Sequence, residues 1–285
     1  MLRQRIEYKS TAQIATMRRA GLVVAAIHDA LRAAVRPGIT TAELDAVSAG
    51  VLARHGARSN FLNYHGFPAT VCISVNEEIV HGIPGARVLD AGDVVSFDCG
   101  AIVDGWHADA ACTVVVGGAQ AAAPRDAELI EVTERALWAG IAALARPGAR
   151  VGAVGAAIED LLDAHAAGGG ARLDIVTEYV GHGIGSALHQ PPDVVHHRTR
   201  ERGPKVRPGL CVCVEPMIVS GSAENRTMDD EWTVVTTDGS RAAHWEHTVA
   251  AHAGGLWVLT APDGGRAGLA PYGVIPVPLE IGAIS

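Results

Sequence analysis

The chain has 285 residues, of which 48% are hydrophobic and only 4% aromatic, and a formal net charge of −8. This length and composition suffice for one large domain with a core of Ala, Val, Leu and Ile. Because the chain has no basic run and no apolar run of membrane-spanning length, we expect neither nucleic-acid binding nor a membrane segment. The N-terminus lacks the apolar stretch of a signal peptide, and we therefore expect a cytoplasmic protein.

The first elements predicted along the chain are two helices. An apolar stripe at helical spacing predicts a helix over residues 12–35, and Arg36-Pro-Gly38 separates it from a second helix that begins near Thr41. The second half repeats this order, with a helix over residues 126–145, Arg146-Pro-Gly148 and a further helix. The offset is 110 residues, from position 36 to position 146. The repeat predicts an internal duplication with a site between the halves; the alternative is a chance recurrence of a common helix stop.

A strand region is predicted after each helix pair, at residues 64–66 and at residues 179–183. Between the helix pairs, Asp98 and Asp109 lie in a stretch that predicts a β-hairpin, because Asp104-Gly105 is a two-residue turn signal between apolar strands. A tight turn would place both aspartates on one face as diagonal neighbours, roughly 7–8 Å apart at the backbone. Two carboxylates so placed would repel each other and carry a large desolvation cost unless cations neutralised them.

Three further candidate ligands, His182, Glu215 and Glu246, occur in strand-like apolar segments of the second half. Carboxylate oxygens with one imidazole suit Mn²⁺, Fe²⁺, Co²⁺ or Zn²⁺, and two such ions can activate a shared water molecule. A salt bridge to an arginine would explain Glu215 alone, but not four acids and a histidine together. Strand alternation places His247 on the opposite face from Glu246, and we expect His247 to be structural or exposed.

The chain has five cysteines, an odd number in strand-like surroundings, which predicts reduced buried thiols rather than a disulfide framework. Cys211 and Cys213 fall on one face of a predicted strand. No cysteine shows zinc-ligand spacing. We therefore interpret this pair as small core residues rather than as a metal site.

The candidate ligands keep a particular order along the chain. Asp98 and Asp109 are followed by His182, by His189 after six intervening residues, and then by Glu215 and Glu246. Together with the segments at residues 64–68, 74–84 and 229–233, this order resembles the methionine aminopeptidases of the short type I form over about residues 10–262. The resemblance implies an α+β pita-bread fold, in which two pseudo-symmetric halves surround a central antiparallel sheet. It implies one catalytic domain over residues 1–262 and a loosely packed extension without recognised function over residues 263–285.

The resemblance also implies a role for each matching residue. Two divalent ions, of Co, Mn, Fe or Zn, would be held by Asp98, Asp109, His182, Glu215 and Glu246. His81, His189 and Glu215 would be catalytic, with the histidines contacting the substrate and Glu215 moving a proton. His81 and His189 would also bind substrate, beside a pocket for the methionine side chain that comprises Phe61, Tyr64, Phe67, Cys72, Leu188 and Trp232.

The implied activity is removal of the initiator methionine from nascent proteins and peptides, with a preference for a small second residue. The implied partners are N-terminal peptides of nascent chains at the ribosome, and the implied state is a monomer. The sequence departs from residues usual in the family at Cys99-Gly100, Ala110-Ala111 and Cys213. These positions surround the ligands, so we expect them to affect turnover and metal preference rather than the class of reaction.

Two other classes of protein compete with this interpretation. A proline-directed aminopeptidase or prolidase uses the same five ligands and the same fold, but usually adds an N-terminal domain, whereas about ten residues precede the first predicted helix here. A metal-free binding module of the same fold is disfavoured because all five ligand positions are filled. The run Gly181-x-Gly183-x-Gly185 does not have the spacing of a dinucleotide-binding loop.

Overall fold

The computed structural model describes residues 5–279. Within that range, no helix is both long enough and apolar enough to cross a bilayer. The helices are α1 (Thr11–Ala34), α2 (Thr41–Arg54), α3 (Pro124–Leu144), α4 (Ala153–Ala167) and α5 (Arg266–Leu269). The strands are β1 (Arg58–Ser59), β2 (Val71–Val75), β3 (Glu78–Val80), β4 (Val94–Val103), β5 (Trp106–Val115), β6 (Asp174–Ile175), β7 (Gly181–Gly183), β8 (Gln190–Val194), β9 (Cys211–Val214), β10 (Met217–Val219), β11 (Asn225–Thr227), β12 (Val234–Thr236), β13 (Ala242–His244), β14 (His247–His252) and β15 (Gly255–Val258). Short 3₁₀ turns cover Tyr64–Gly66, Ala119–Ala121 and Ala270–Tyr272.

Local sequence signals determine where α1 and α2 begin. The Ser10 hydroxyl accepts a hydrogen bond from the Gln13 backbone N–H (3.3 Å), and the Gln13 side chain accepts one from the Ser10 N–H (2.7 Å). Thr40 and Glu43 form the same reciprocal pair before α2. These capping boxes satisfy backbone donors that a helix start leaves unpaired. The prediction of a helix over residues 12–35 is confirmed, with each end one residue earlier, and α2 begins at Thr41 as predicted.

The second half repeats the helix pair. α3 confirms the helix predicted over residues 126–145, and α4 is the further helix. α1 packs against α2 as α3 packs against α4, and the glycine of each Arg-Pro-Gly linker has a positive φ, 85° at Gly38 and 72° at Gly148. The strand predicted at residues 179–183 is confirmed as β7. The strand predicted at residues 64–66 is wrong, because positive φ angles at Asn63 and His65 bend this segment into a 3₁₀ turn.

The hairpin of β4 and β5 has the predicted register. Val103 pairs with Trp106 across Asp104-Gly105, and both turn residues have positive φ angles, 49° and 79°, as two-residue hairpin turns require. This register places Asp98 and Asp109 in diagonal positions on one face of the ribbon. The arrangement expected of the two carboxylates is therefore present in the backbone.

Each helix pair covers its own apolar core. The core beneath α1 and α2 includes the inward side chains of β2, β4 and β5, and the core beneath α3 and α4 includes those of β9 and β14. Both are composed almost entirely of aliphatic residues, as the scarcity of aromatic residues predicts.

The strands form four small sheets, of which β11-β12-β3 combines strands of both halves. β4 lies between β1 and β2 and also pairs with β5, while a five-stranded sheet has the order β15-β14-β9-β7-β8. The remaining strands form the three-stranded sheets β13-β10-β6 and β11-β12-β3. The backbone of Ala111 in β5 exchanges two hydrogen bonds with that of Glu246, which precedes β14 (2.9 and 3.3 Å). The mixture of helices and antiparallel sheets confirms the α+β class, and this junction brings the hairpin against the strands of the second half.

Part of the C-terminal tail packs against the domain. Leu269 in α5 is fully buried, and Gly268 lies directly against the indole of Trp138 in α3. The Tyr272 hydroxyl donates a hydrogen bond to the Arg135 carbonyl (2.7 Å). The expectation of a loosely packed extension is wrong at Leu269 and Tyr272, whose side chains pack beside α3, whereas Ile275 farther along is 83% exposed. The rest of the predicted extension, residues 280–285, lies outside the described residues.

Candidate active site

The hairpin presents Asp98 and Asp109 at the junction between the halves. Asp109 is only 3% exposed. The Thr248 hydroxyl in β14 accepts a hydrogen bond from the Asp109 N–H (2.9 Å) and donates one to the Asp109 carbonyl (2.7 Å). On the other side, Cys72 in β2 lies opposite Asp98 in β4. Neighbouring strands from both halves therefore fix the position of the two aspartates.

The second half contributes His182, Glu215 and Glu246 at the same junction. His182 is the central residue of β7; its Nδ1 lies 3.0 Å from the Gly183 carbonyl oxygen, and its Nε2 lies 3.3 Å from Glu215 Oε1. The Glu215 backbone N–H donates a hydrogen bond to His196 Nε2 (3.0 Å). Glu246 is 2% exposed and is held by its backbone bonds to β5. His182 thus lies within β7, whereas Glu215 directly follows β9 and Glu246 directly precedes β14.

Side chains from both halves converge around Glu246. Their potential ligand atoms form three overlapping groups, in each of which the atoms lie within 4.8 Å of one another. The groups are Asp98, Asp109 and Glu246; Glu215, His244 and Glu246; and His182, Cys213 and Glu246. The five residues predicted as ligands therefore lie together around one carboxylate, and two further side chains, His244 and Cys213, lie among them.

The four carboxylates of this cluster are costly to keep ionised. Burial raises the pKa of Asp98 to about 7, and burial together with neighbouring acids raises the pKa of Asp109, Glu215 and Glu246 well above the ordinary value. Each carboxylate has one buried oxygen without a hydrogen-bond partner in residues 5–279. The basic side chains within 4 Å of the Glu215 carboxylate in that range are the imidazoles of His182 and His244, so a salt bridge to an arginine does not explain Glu215.

The donor set fits divalent cations. Burial lowers the pKa of His182 to about 3, so its imidazole is neutral and retains a lone pair for a metal. Four carboxylates with unpaired oxygens and one neutral imidazole are the ligands that Mn²⁺, Fe²⁺, Co²⁺ and Zn²⁺ accept. Cations here would also remove the mutual repulsion of the acids.

An apolar cluster adjoins the carboxylates and contains every residue predicted for the methionine pocket. These residues are Phe61, Phe67, Cys72 and Leu188, which are buried, and Tyr64 and Trp232, which are partly buried. The rings of Phe67 and Trp232 meet edge to face, with 5.1 Å between centroids. Because Cys72 also pairs with Asp98 across β2 and β4, the apolar wall is continuous with the carboxylate cluster.

His81 and His189 lie at the edge of this apolar cluster. The ring of His189 lies 4.4 Å from that of His182, and its Nδ1 lies 2.7 Å from the Tyr64 hydroxyl. The ring of His81 lies edge to face with Trp232 at 6.2 Å. His81 has a φ angle of 60°, an uncommon conformation for a residue other than glycine and one that is frequent at functional sites.

Three residues of the site were not predicted from the sequence. His244 and Thr248 each lie two positions from Glu246, so strand alternation was a signal that could have placed them beside the ligands. His196, which accepts the Glu215 N–H, had no such signal. Cys213, expected both as a small core residue and as a neighbour of the ligands, is buried and lies within reach of His182 and Glu246.

His247 has the structural role expected from strand alternation. Its Nδ1 lies 2.8 Å from the Thr260 hydroxyl, and its ring packs near Trp138 with 4.9 Å between centroids. It therefore contacts the opposite side of β14 from the carboxylate cluster.

Residues 15–253 match the profile of metallopeptidase family M24, and the chain belongs to this family of metal-dependent peptidases. Within it, the chain is 41% identical over 252 residues to methionine aminopeptidase 1 of Bacillus subtilis, covering 88% of this chain and 98% of the relative. It is 44% identical over 259 residues to methionine aminopeptidase 1 of Mycobacterium tuberculosis, covering 90% and 96%. The resemblance to methionine aminopeptidases noted in the sequence is confirmed.

Solved structures show the same relationship. The methionine aminopeptidase from Rickettsia prowazekii superposes with a TM-score of 0.84 at 33% identity, covering 90% of this chain and all (100%) of that one. The prolidase from Pyrococcus furiosus superposes with a TM-score of 0.68 at 18% identity, covering 89% of this chain and 65% of that one, and shows the fold alone. The expected pita-bread fold is confirmed by these neighbours.

Proposed function

We propose that this protein is a metal-dependent methionine aminopeptidase that removes the N-terminal methionine from peptides and nascent proteins. One observation carries the proposal: a cluster of four carboxylates and a histidine adjoins an apolar cluster that contains all six residues predicted for the methionine pocket. The membership in metallopeptidase family M24 and the identities of about 40% to methionine aminopeptidases support the same activity.

Asp98, Asp109, His182, Glu215 and Glu246 would hold two divalent ions, of Co, Mn, Fe or Zn. Glu246 lies in every ligand group, and Asp98 and Asp109 share one group with it, so these acids would help to hold the ions. When bound, the ions would lower the pKa of a water molecule and polarise the carbonyl of the scissile bond. The unpaired carboxylate oxygens and the neutral imidazole of His182 are the observations that support this assignment.

Glu215 would move the proton that the reaction releases. The Glu215 carboxylate lies in the ligand cluster, beside the place where the attacking water would be held. It would take a proton from the attacking water and pass it to the leaving amine. The His196 contact at the backbone and the His182 contact at Oε1 hold Glu215 in one orientation for this transfer.

His81 and His189 would bind the substrate at the scissile bond. Burial lowers the pKa of His81 to about 4 and lowers that of His189, so both imidazoles are neutral and can each donate one N–H to a carbonyl oxygen. The Tyr64 hydroxyl, 2.7 Å from His189 Nδ1, would orient that ring. The positive φ of His81 would direct its side chain toward the pocket edge beside Trp232.

Phe61, Tyr64, Phe67, Cys72, Leu188 and Trp232 would enclose the methionine side chain. A polarizable thioether makes favourable contacts with aromatic edges, and the thiol of Cys72 adds a small, soft surface at the end nearest Asp98. A side chain that branches near the backbone would fit this pocket less well than an unbranched one.

The test is a comparison of peptides at fixed metal concentration. Met-Ala-Ser should be cleaved with a kcat/KM well above that of Ala-Pro-Ser, and chelation should abolish cleavage of both. Preferred cleavage before proline, whatever the first residue, would replace the proposal with a proline-directed aminopeptidase or prolidase. Cleavage of Met-Ala-Ser that survives exhaustive chelation would rule out the metal-dependent mechanism.

We further propose that the enzyme acts as a cytoplasmic monomer on nascent chains at the ribosome, with residues 1–262 as the catalytic domain and residues 263–285 as an extension. A groove near β8 with a volume of about 1550 Å³ supports the ribosomal site, because five basic residues line it, Arg5, Arg150, Arg202, Lys205 and Arg207, against two acids, Glu7 and Glu201. The basic residues come from separate segments, so the absence of a basic run in the sequence did not reveal them. Such a surface would favour a polyanionic partner. Salt-sensitive co-sedimentation with ribosomes, weakened in a Lys205→Glu/Arg207→Glu variant, is the expected result; no co-sedimentation at low salt would contradict it.

A further inference from the structure

His244 faces the proposed metal centre without a partner of its own. The residue is 2% exposed, and its Nε2 has no hydrogen-bond partner within residues 5–279. That nitrogen lies 3.9 Å from Glu215 Oε2, and it shares with Glu215 and Glu246 a group of ligand atoms within 4.8 Å of one another. A buried polar nitrogen left unpaired is costly, and the site that could satisfy it is the one on which the carboxylates converge.

The distances around Glu215 are those of shared coordination. His182 Nε2 lies 3.3 Å from Oε1, and His244 Nε2 lies 3.9 Å from Oε2, so the carboxylate stands between two imidazoles. Ligand atoms that bind one ion at about 2.1 Å are separated by at most about 4.2 Å. Both nitrogen-to-oxygen distances fall below this limit, whereas 3.9 Å is too long for a hydrogen bond between His244 and Glu215.

The backbone of His244 is held firmly in place. His244 pairs with Met217 across β13 and β10. Its N–H donates a hydrogen bond to the Thr113 hydroxyl (2.9 Å), and the same hydroxyl donates one to the His244 carbonyl (2.9 Å). Thr113 belongs to β5, the strand that carries Asp109. The imidazole is therefore fixed relative to the carboxylates, as a preorganised ligand requires.

Cys213 is the other unassigned side chain within ligand distance, but it has a partner. Its thiol lies 3.5 Å from the Thr248 hydroxyl, the group that anchors Asp109. His244 Nε2 has no such partner within residues 5–279. The imidazole is thus the better candidate for a further ligand.

We propose that His244 is a sixth protein ligand of the metal centre, binding through Nε2 the divalent ion that Glu215 and Glu246 also contact. The inference rests on the proposed metal centre and extends it. The centre would then contain two imidazoles, His182 and His244, rather than one. An added nitrogen ligand would shift the preference of that ion site toward metals that favour imidazole over an all-oxygen environment.

The experiment uses the full chain loaded with two equivalents of Co²⁺. X-ray absorption spectra of the unaltered protein should show imidazole scattering for two histidines per pair of ions, and scattering for only one would overturn the proposal. This measurement needs no substitution and so does not depend on the folding of a variant.

Three variants then separate the inference from the proposed centre on which it rests. His244→Gln should lose one imidazole from the spectrum and should weaken binding of one Co²⁺ by about 10-fold or more in titration calorimetry. His247→Gln, the matched control on the opposite side of β14, should retain wild-type binding. If His244→Gln keeps wild-type affinity and scattering while His182→Gln loses metal, His244 is not a ligand, but the proposed metal centre stands. Wild-type binding in both would reject the proposed centre as well.

Discussion

The N-terminal half supplies Asp98 and Asp109 from one regular hairpin, whereas the C-terminal half supplies His182 from β7 and Glu215 and Glu246 from the ends of β9 and β14. In the hairpin, one turn and the alternation of side chains place both acids. In the second half, placement depends on pairing between strands far apart in sequence, such as β9 with β14. The two halves of this pseudo-symmetric fold therefore place their side chains at one site in different ways, one by local turn geometry and the other by long-range strand pairing.

The first prediction, with the largest expected effect, concerns whether both halves are equally necessary for peptidase activity. Asp109→Asn removes an acid of the hairpin, and His182→Gln removes the imidazole of the second half. Each should reduce kcat/KM for Met-Ala-Ser below detection, because each removes a ligand of the metal that the chemistry requires. Asp104→Asn at the exposed tip of the same hairpin is the control and should retain activity. Normal turnover by either variant, with metal content confirmed by elemental analysis, would remove that residue from the site.

The second prediction distinguishes residues that contact the substrate from residues that bind metal, with one histidine taken from each half. His81→Ala, in the N-terminal half, and His189→Ala, in the C-terminal half, should each lower kcat on the order of 10²–10⁴-fold while leaving metal content unchanged. His55→Ala, at the exposed end of α2, is the control. Elemental analysis alongside steady-state kinetics decides the outcome: metal loss in step with activity would make these histidines ligands or structural residues instead.

The third prediction concerns the pocket, whose walls come from both halves. Met-Ala-Ser should be preferred to Leu-Ala-Ser by roughly 1–3 kcal/mol in transition-state free energy, since the two differ in shape by about one methylene in an apolar pocket. Met-Leu-Ser should also be a poor substrate, because His81 and the carboxylate cluster crowd the far side of the scissile bond. The ratios of kcat/KM give the answer directly. Equal values for the methionine and leucine peptides would mean that the apolar cluster does not select the first side chain.

The smallest expected effect concerns the stability of the metal-free protein. Burial raises the pKa of Asp98 from 3.8 to about 7. The contribution of Asp98 to the free energy of unfolding is therefore fully present below about pH 4, where the residue is protonated in both the folded and the unfolded state. It is lost as the pH rises through 7. Asp98→Asn cannot ionise. The free energy of unfolding of Asp98→Asn minus that of the wild-type protein should therefore be larger at pH 8 than at pH 4, by about 1 kcal/mol or more.

Thermal unfolding in the presence of a chelator measures this difference. A change of 1 kcal/mol corresponds to about 2–4 °C in Tm for a domain of this size. Buried histidines such as His28, whose pKa burial lowers to about 3, act in the opposite direction, but they are common to both proteins and cancel in the comparison. If the difference in free energy of unfolding does not change with pH, burial does not raise the pKa of Asp98. Added metal should reverse the stability advantage of the variant.

The helices and the hairpin could be predicted because their signals are local. Capping residues, apolar periodicity and Asp104-Gly105 act over a few positions, and α1, α2, α3 and the β4–β5 register agree with them. The 3₁₀ turn at Tyr64–Gly66 was missed because it depends on positive φ angles at Asn63 and His65, which residue type alone does not require. The packing of Leu269 was missed because the space it fills is formed by α3, more than a hundred positions away.

The sequence by itself determined which chemistry to expect: the residue types and order of Asp98, Asp109, His182, Glu215 and Glu246 predict a carboxylate-rich metal site. Only the tertiary structure decided that these side chains surround Glu246 and that His244 joins them. The physical reason is distance along the chain. Turn geometry and strand alternation operate between neighbours, whereas the position of His244 depends on hydrogen bonds to Thr113, a residue of the other half.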